Sequence, residues 1–172
     1  MAGQATGQAS GQASDDSMAA LRIVLSRCAL ALTRREHDAD DLVQDTLARL
    51  LERTPELTDL DEPEGYAVAT LTRLWLTKQR RLGVQARRLR TIAADRIGRA
   101  GLVSDSGELD RIEQLVATFP PRQRAVLVLR AVMGLAIPEI AEALDLPTQT
   151  VRSNLHLARQ RVRAAGATGD PR

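Results

Sequence analysis

An all-α fold of two small helical domains joined by a flexible linker is predicted by three observations. Apolar residues recur every three or four positions through most of the chain, no run alternates β-branched and aromatic residues with polar ones, and Gly-, Ser-, Asp- and Pro-rich breaks fall where the periodicity stops. A length of 172 residues suffices for one or two such domains, each with its own core. Aromatic residues are limited to Tyr66, Trp75 and Phe119, so the cores must be Leu, Val, Ile and Ala. Stacking of successive bases on an aromatic platform is disfavoured for the same reason.

Residues 1–15 repeat Gly-Gln-Ala with Ser and Thr and offer nothing to bury, which predicts a disordered tail. Helical periodicity starts at Asp15 or Asp16, both suited to an N-cap, and continues through Met18, Leu21, Leu25, Cys28 and Leu32. Cys28 is the single cysteine, so it forms no internal disulfide, and no cluster has metal-ligand spacing. Its place in that stripe predicts a buried, apolar role rather than redox sensing. A charged break at Arg34 to Asp38 precedes the stretch DADDLVQDTLARLLER. There Leu42 and Val43, Thr46 and Leu47, Leu50 and Leu51 pair every four residues to give a wide apolar face, with Asp40, Asp41, Gln44, Asp45 and Arg49 elsewhere. Acids in a first turn favour the helix dipole, which accounts for Asp38, Asp40 and Asp41 but leaves Gln44 and Asp45 over.

A loop with Pro55 and an acidic run leads to a third helix starting near Asp61 to Glu64, a capping-box pattern. Val68, Leu71 and Trp75 make its inner stripe with Leu74 beside it, and it runs on into the basic stretch TKQRRLGVQARRLR. The apolar pattern then thins. Residues 91–107 read as an interdomain linker, with a frayed helical piece at Ile92 to Ile97. Leu109, Ile112, Leu115, Val116 and Phe119 restart a helix that Pro120-Pro121 ends. From Ala125 to Val162 come three helical segments broken at Gly134 and at Asp145-Leu146-Pro147. Ile140, Ala141 and Leu144 share one face of the middle segment, with Pro138 in its first turn and Glu139 and Glu142 outside. In the last segment Val151, Leu155, Ala158 and Val162 bury one stripe. Gln149, Arg152, Ser153, His156, Arg159 and Arg163 remain in solvent with no acid among them. The domains are accordingly 16–90 and 108–166, with a second disordered tail at 167–172.

Charge distribution says more than the net charge of +2. Between Glu36 and Glu64 eleven acids face two arginines, from Lys78 to Arg90 there are six basic residues and no acid, and from Pro147 to Arg163 four arginines and no acid. One surface repels DNA and two attract it. Two short helices joined by a tight turn, the second bearing Arg, Gln, Asn, Ser and Thr over an apolar back, fit the major groove, which admits one helix with hydrogen-bonding side chains. A solvated face of a three-helix bundle has the same apolar spacing. Lys78 is the only lysine; arginine suits bidentate contact with guanine or phosphate, and a GC-rich coding bias produces the same excess. An enzyme is disfavoured, because His37 and His156 fall in different domains and there is no Gly-rich phosphate loop. No hydrophobic run reaches membrane-spanning length and no signal-peptide pattern is present, so the expected location is cytoplasmic, without membrane insertion.

These stretches resemble a known family. DADDLVQDTLARLLER resembles the polymerase-binding helix of region two in extracytoplasmic-function (ECF) sigma factors, group IV of the housekeeping-type bacterial sigma factor family. YAVATLTRLWLTKQRRL is similar to the following helix, and LVATFPPRQRAVLVLRAVMGLAIPEIAEALDLPTQTVRSNLHLARQRVR to region four. The resemblance spans residues 18 to 165 and implies promoter recognition as a monomer, with no cofactor and no metal. It implies contact with core RNA polymerase through Asp41, Leu42, Gln44, Asp45, Leu47 and Arg49, and with the opened minus 10 strand through Tyr66, Arg73, Trp75, Lys78, Arg80 and Arg81. The minus 35 duplex would face Thr148, Gln149, Arg152, Ser153, Asn154, His156 and Arg159, and an anti-sigma factor is a further implied partner. Five positions depart from the pattern: Arg73 stands where many members carry Asn, Ala136 where a Ser or Thr cap is usual, Asp145 in place of the turn glycine, and Pro147 with Gln149 at the start of the reading helix. Two other classes fit the residues: a dimeric helix-turn-helix regulator acting without polymerase, and a helical adaptor that binds only protein.

Overall fold

The computed structural model describes residues 5–53, 62–92 and 114–167, and the side chains of 17–52, 62–85 and 114–165. All regular structure among them is helical: α1 (Ala5–Thr33), α2 (Glu36–Arg53), α3 (Pro63–Ile92), α4 (Pro121–Ala131), α5 (Ile137–Leu144) and α6 (Thr148–Ala167). The chain forms two compact units, Met1–Thr72 and Arg73–Arg172, whose boundary falls inside α3. The linker expected at 91–107, the helical piece at Ile92 to Ile97 beyond its first residue, the acidic run before Glu62, Leu109 and Ile112 lie outside the described residues.

In the first unit α1 and α2 pack together through the residues that the periodicity selects. Leu21, Leu25, Cys28, Ala29 and Leu32 are buried on α1, and Ala39, Leu42, Val43, Thr46 and Leu50 on α2. The first part of α3 adds Ala67, Val68, Ala69, Leu71 and Thr72. Each fully buried leucine stabilises the unit by about 1.5–3 kcal/mol relative to exposure. Thr46 and Thr72 are buried without penalty because their hydroxyls donate one turn back, to the carbonyls of Leu42 (2.7 Å) and Val68 (2.8 Å). Burial pushes the Cys28 thiol up to about 12, against a smaller lowering by its hydrogen bond with Thr72. It therefore stays protonated at neutral pH and lacks the thiolate that redox chemistry requires.

Two boundaries differ from expectation. Helix α1 starts at Ala5, well before Asp15, so residues 5–14 continue the helix rather than form a disordered tail. Ala and Gln have good intrinsic propensity, and extending an established helix adds one hydrogen bond per residue without a new nucleation cost. The break before α2 is confined to Arg34 and Arg35. Arg34 adopts a left-handed conformation (φ 67°), a strained turn for a residue with a Cβ. Bonds around it hold it there: its N–H donates to Leu30 O at 2.8 Å, and the Thr33 hydroxyl donates to Ala29 O at 2.9 Å.

In the second unit α4, α5 and α6 form a three-helix cluster. Its core is Phe119, Ala125, Val126, Val128, Leu129, Ile140, Ala141, Ala143, Leu144, Val151, Leu155 and Ala158. Pro120 and Pro121 end the helical residues 114–117 and open α4, where a missing N–H costs nothing. Gly134 takes φ +74° in the α4–α5 connection, a conformation that a side chain would strain. Ala136 caps α5 without a side-chain acceptor, but the Glu139 carboxylate accepts from its N–H at 2.5 Å and supplies half of a capping box. Asp145 ends α5 in the left-handed region (φ 52°, ψ 54°), its N–H donating to the carbonyls of Ala141 and Glu142, a C-terminal position that glycine commonly takes. On the far side of α6, Arg161 donates to Gln123 Oε1 and lies 5.6 Å from the Phe119 ring centroid, tying the later turns of α6 to α4.

Candidate nucleic-acid interface

Helix α6 is anchored by Val151, Leu155 and Ala158, each at most 3% exposed, with Val162 half-buried beyond them. That stripe fixes what faces solvent. Arg152, His156, Arg159 and Arg163 recur at spacings of four, three and four, so they stand one above the next on one side of the helix, all exposed. Gln149 and Ser153 are exposed as well, the Ser153 hydroxyl donating to Gln149 O at 3.0 Å. Ile137 at the start of α5 meets Arg152, His156, Arg159, Gln160 and Arg163 around a cleft of about 260 Å³. Guanidinium and imidazole groups above an apolar floor, without a carboxylate among them, can donate to base edges and phosphates.

Two residues assigned to this face stand off it. Thr148 and Asn154 are half-buried, and the Asn154 amide donates to Thr150 O at 2.8 Å, which commits it to the backbone. The fixed stripe turns Asn154 away from Arg152 by two helical positions, a rotation legible only once the buried face is known. Gln160 and Arg163 line the cleft and were outside the assigned set; the spacing from Arg152 was the available signal.

The α2 surface differs. Gln44, Asp45, Ala48 and Arg49 are exposed, Asp41 and Leu47 are half-buried, and Leu51 is 54% exposed. The apolar face is therefore narrower than the sequence pairs imply: Leu42, Val43 and Leu50 turn inward, while Leu47 and Leu51 border the acids. Leu42, which the resemblance assigns to the polymerase contact, is 3% exposed and belongs to the core. Leu51, not assigned, offers an apolar side chain beside Asp41 and Asp45. His37 Nε2 lies 3.8 Å from Asp41 Oδ2 one turn away, an exposed pair that forms only when the imidazole is protonated.

On α3, Tyr66, Lys78, Arg80 and Arg81 are exposed. Trp75 departs from that set: it is 2% exposed, with the Arg124 guanidinium 5.5 Å from its ring centroid. Its place on the Val68, Leu71 stripe carries it inward, and an interior ring does not face a strand. Arg73 keeps an exposed side chain, yet its Nε donates to Ala143 O at 2.6 Å and its Nη2 to Glu142 O at 2.9 Å, both within the second unit. Among the described residues no group of His, Cys, Asp and Glu could hold a metal ion, and no helix is long and apolar enough to cross a membrane.

Residues 19–84 match sigma-70 region 2, and residues 109–162 match sigma-70 region 4. The chain is 32% identical over 146 residues to the ECF RNA polymerase sigma factor SigE of Mycolicibacterium smegmatis, covering 80% of this chain and 55% of that protein. It thus spans about half the length of that relative. It is 31% identical over 147 residues to an RNA polymerase sigma-E factor of Streptomyces avermitilis, covering 81% of this chain and 76% of that one. Its fold is similar to that of the sigma factor RpoE from Bartonella quintana, solved in complex with the anti-sigma factor NepR: the TM-score is 0.68 at 18% identity, over 91% of this chain and 98% of that one. Region 2 and region 4 in order, on an all-helical scaffold, with the Streptomyces avermitilis relative covered over 76% of its length, lead to one conclusion: the chain belongs to the extracytoplasmic-function sigma factor family.

Proposed function

We propose that the chain is a promoter-recognition subunit that binds core RNA polymerase and directs initiation from promoters carrying minus 10 and minus 35 elements. The observation that carries this reading is the contrast between two exposed helix faces. Arg152, His156, Arg159 and Arg163 stand on α6 without an acid, while Asp41 and Asp45 stand on α2 beside Leu47 and Leu51. The first face suits phosphate and base edges, and the second suits a basic, partly apolar protein surface. Docking through α2 leaves α6 available for the upstream duplex, and Tyr66, Lys78, Arg80 and Arg81 for the opened strand. Each contact can be modest, because once one is made the tethered second acts at high effective concentration.

The role is non-enzymatic and the expected location is the cytoplasm, where polymerase is. An anti-sigma factor covering the same faces is the partner that would hold the chain inactive. Run-off transcription with purified core enzyme on genomic templates tests the proposal. The expected result is selective initiation that depends on the added chain. Core enzyme that gains no selectivity overturns it, and protection of a palindrome by the chain alone would instead support a dimeric helix-turn-helix regulator.

A further inference from the structure

The solvent side of α6 holds an apolar side chain that neither the buried stripe nor the arginine row accounts for. At about 100° per residue, Gln149, Ser153 and Gln160 point away from Val151, Leu155 and Ala158, while His156 and Leu157 flank them, each about 130° from the stripe on opposite sides. Leu157 is 45% exposed, so it fills no place in the core. His156 belongs to the row that includes Arg152 and Arg159; Leu157 stands on the other edge of the same outward face.

The two edges differ in what they can donate. Along the His156 edge the guanidinium groups border a cleft without a carboxylate. Around Leu157 the polar neighbours one turn away are engaged within the protein. The Ser153 hydroxyl donates to Gln149 O at 3.0 Å, the Asn154 amide donates to Thr150 O at 2.8 Å, and Arg161 donates to Gln123 Oε1 beside the Phe119 ring. A helix laid in a major groove by this outward face therefore meets the bases with one donor-rich edge and one apolar edge. Guanine offers acceptors to the first. Among the groups that base pairs present in that groove, the thymine C5 methyl is the one that rewards an apolar side chain.

We propose that Leu157 is a specificity-determining residue that packs on the C5 methyl of one thymine in the upstream element. The inference rests on the proposed promoter-recognition role and names one base that the role selects. Cytosine at that place would turn its amino group toward a side chain that cannot accept a hydrogen bond, which leaves a donor unpaired.

Replacing thymine by uracil removes that methyl and leaves base pairing and every donor and acceptor in place. Each thymine in the upstream part of a promoter duplex selected by run-off transcription is replaced in turn. Competitive binding is then measured for core enzyme loaded with the native chain, Leu157→Ala or Leu157→Met, with unfolding midpoints to verify folding. One replacement is expected to weaken the native complex about fourfold, the worth of one buried methyl group. Leu157→Ala is expected to bind the thymine and uracil duplexes alike, and Leu157→Met to keep the difference, because its side chain still reaches the methyl. Dependence of the uracil effect on the side chain separates direct contact from a change in DNA shape. Native binding indifferent to every replacement, or a uracil effect of equal size in Leu157→Ala, overturns the contact while promoter selection stands. Loss of core-enzyme capture in Leu157→Ala, with the uracil effect unchanged, makes Leu157 a protein contact and overturns it as well. Absence of any selectively bound duplex refutes promoter recognition itself, and the thymine contact falls with it.

Discussion

Helices α2 and α6 are built alike and decorated oppositely. Both rest on a buried stripe, Leu42, Val43, Thr46 and Leu50 in one and Val151, Leu155 and Ala158 in the other. Outside those stripes α2 carries Asp40, Asp41, Asp45 and Glu52 with Leu47 and Leu51, while α6 carries arginines, His156, neutral polar groups and the exposed Leu157, with no acid. Helical packing thus fixes orientation, and the solvent side selects the class of partner. On the proposed function, charge sign separates the DNA-facing helix from the protein-facing one, and Leu51 beside the acids of α2 would gain by being covered.

The sharpest way to break the comparison is to remove its shared part. Leu155→Ala, at 3% exposure in the α5–α6 packing, should cost about 2–5 kcal/mol, seen as a lower unfolding midpoint, together with loss of duplex binding. An unchanged midpoint would mean that this stripe does not orient α6. Changes on the solvent sides should be smaller and should not cross. Arg152→Ala should cost roughly 1–3 kcal/mol of duplex binding and relax preference at one base position. Arg163→Ala should weaken all sequences alike and lower the salt slope by about one. Equal effects of both on every sequence would erase the distinction between base and phosphate contacts. Asp45→Lys should weaken capture of core enzyme by about tenfold and leave the unfolding midpoint of the chain in place. Loss of duplex binding instead would move the DNA surface to α2. Least in size, Asp145→Gly should raise stability by about 0.5–1 kcal/mol by relieving a left-handed residue, measured by denaturant titration.

What was legible in the sequence is what periodicity controls. The stripe Leu21, Leu25, Cys28, Leu32 is buried as spaced, as are Val68, Leu71 and Trp75, and Ile140, Ala141 and Leu144. Asp145 in the left-handed region follows from its tolerance of that conformation at the place of a turn glycine. The remainder depends on distant neighbours. Leu47 and Leu51 share the α2 periodicity of Val43 and Leu50, and only the position of the packed helices decides which of them turns outward. Trp75 fits both an inner stripe and a strand-facing set, and Arg124, forty-nine positions further on, decides in favour of the interior. Arg34 gives no left-handed signal in its residue type; Thr33 and the α1 carbonyls hold it there. The start of α1 was missed because composition signals disorder where propensity alone, next to a formed helix, supports continuation.

On the proposed function, the acidic face must find polymerase before the basic faces choose a promoter. That order is tested most directly by measuring binding of the chain to a promoter duplex and to a scrambled duplex, with and without core enzyme, at one fixed salt concentration. Selective binding that emerges only with core enzyme, and is lost with Asp45→Lys, is the expected result. Selective binding by the chain alone, indifferent to core enzyme and to Asp45→Lys, would contradict it.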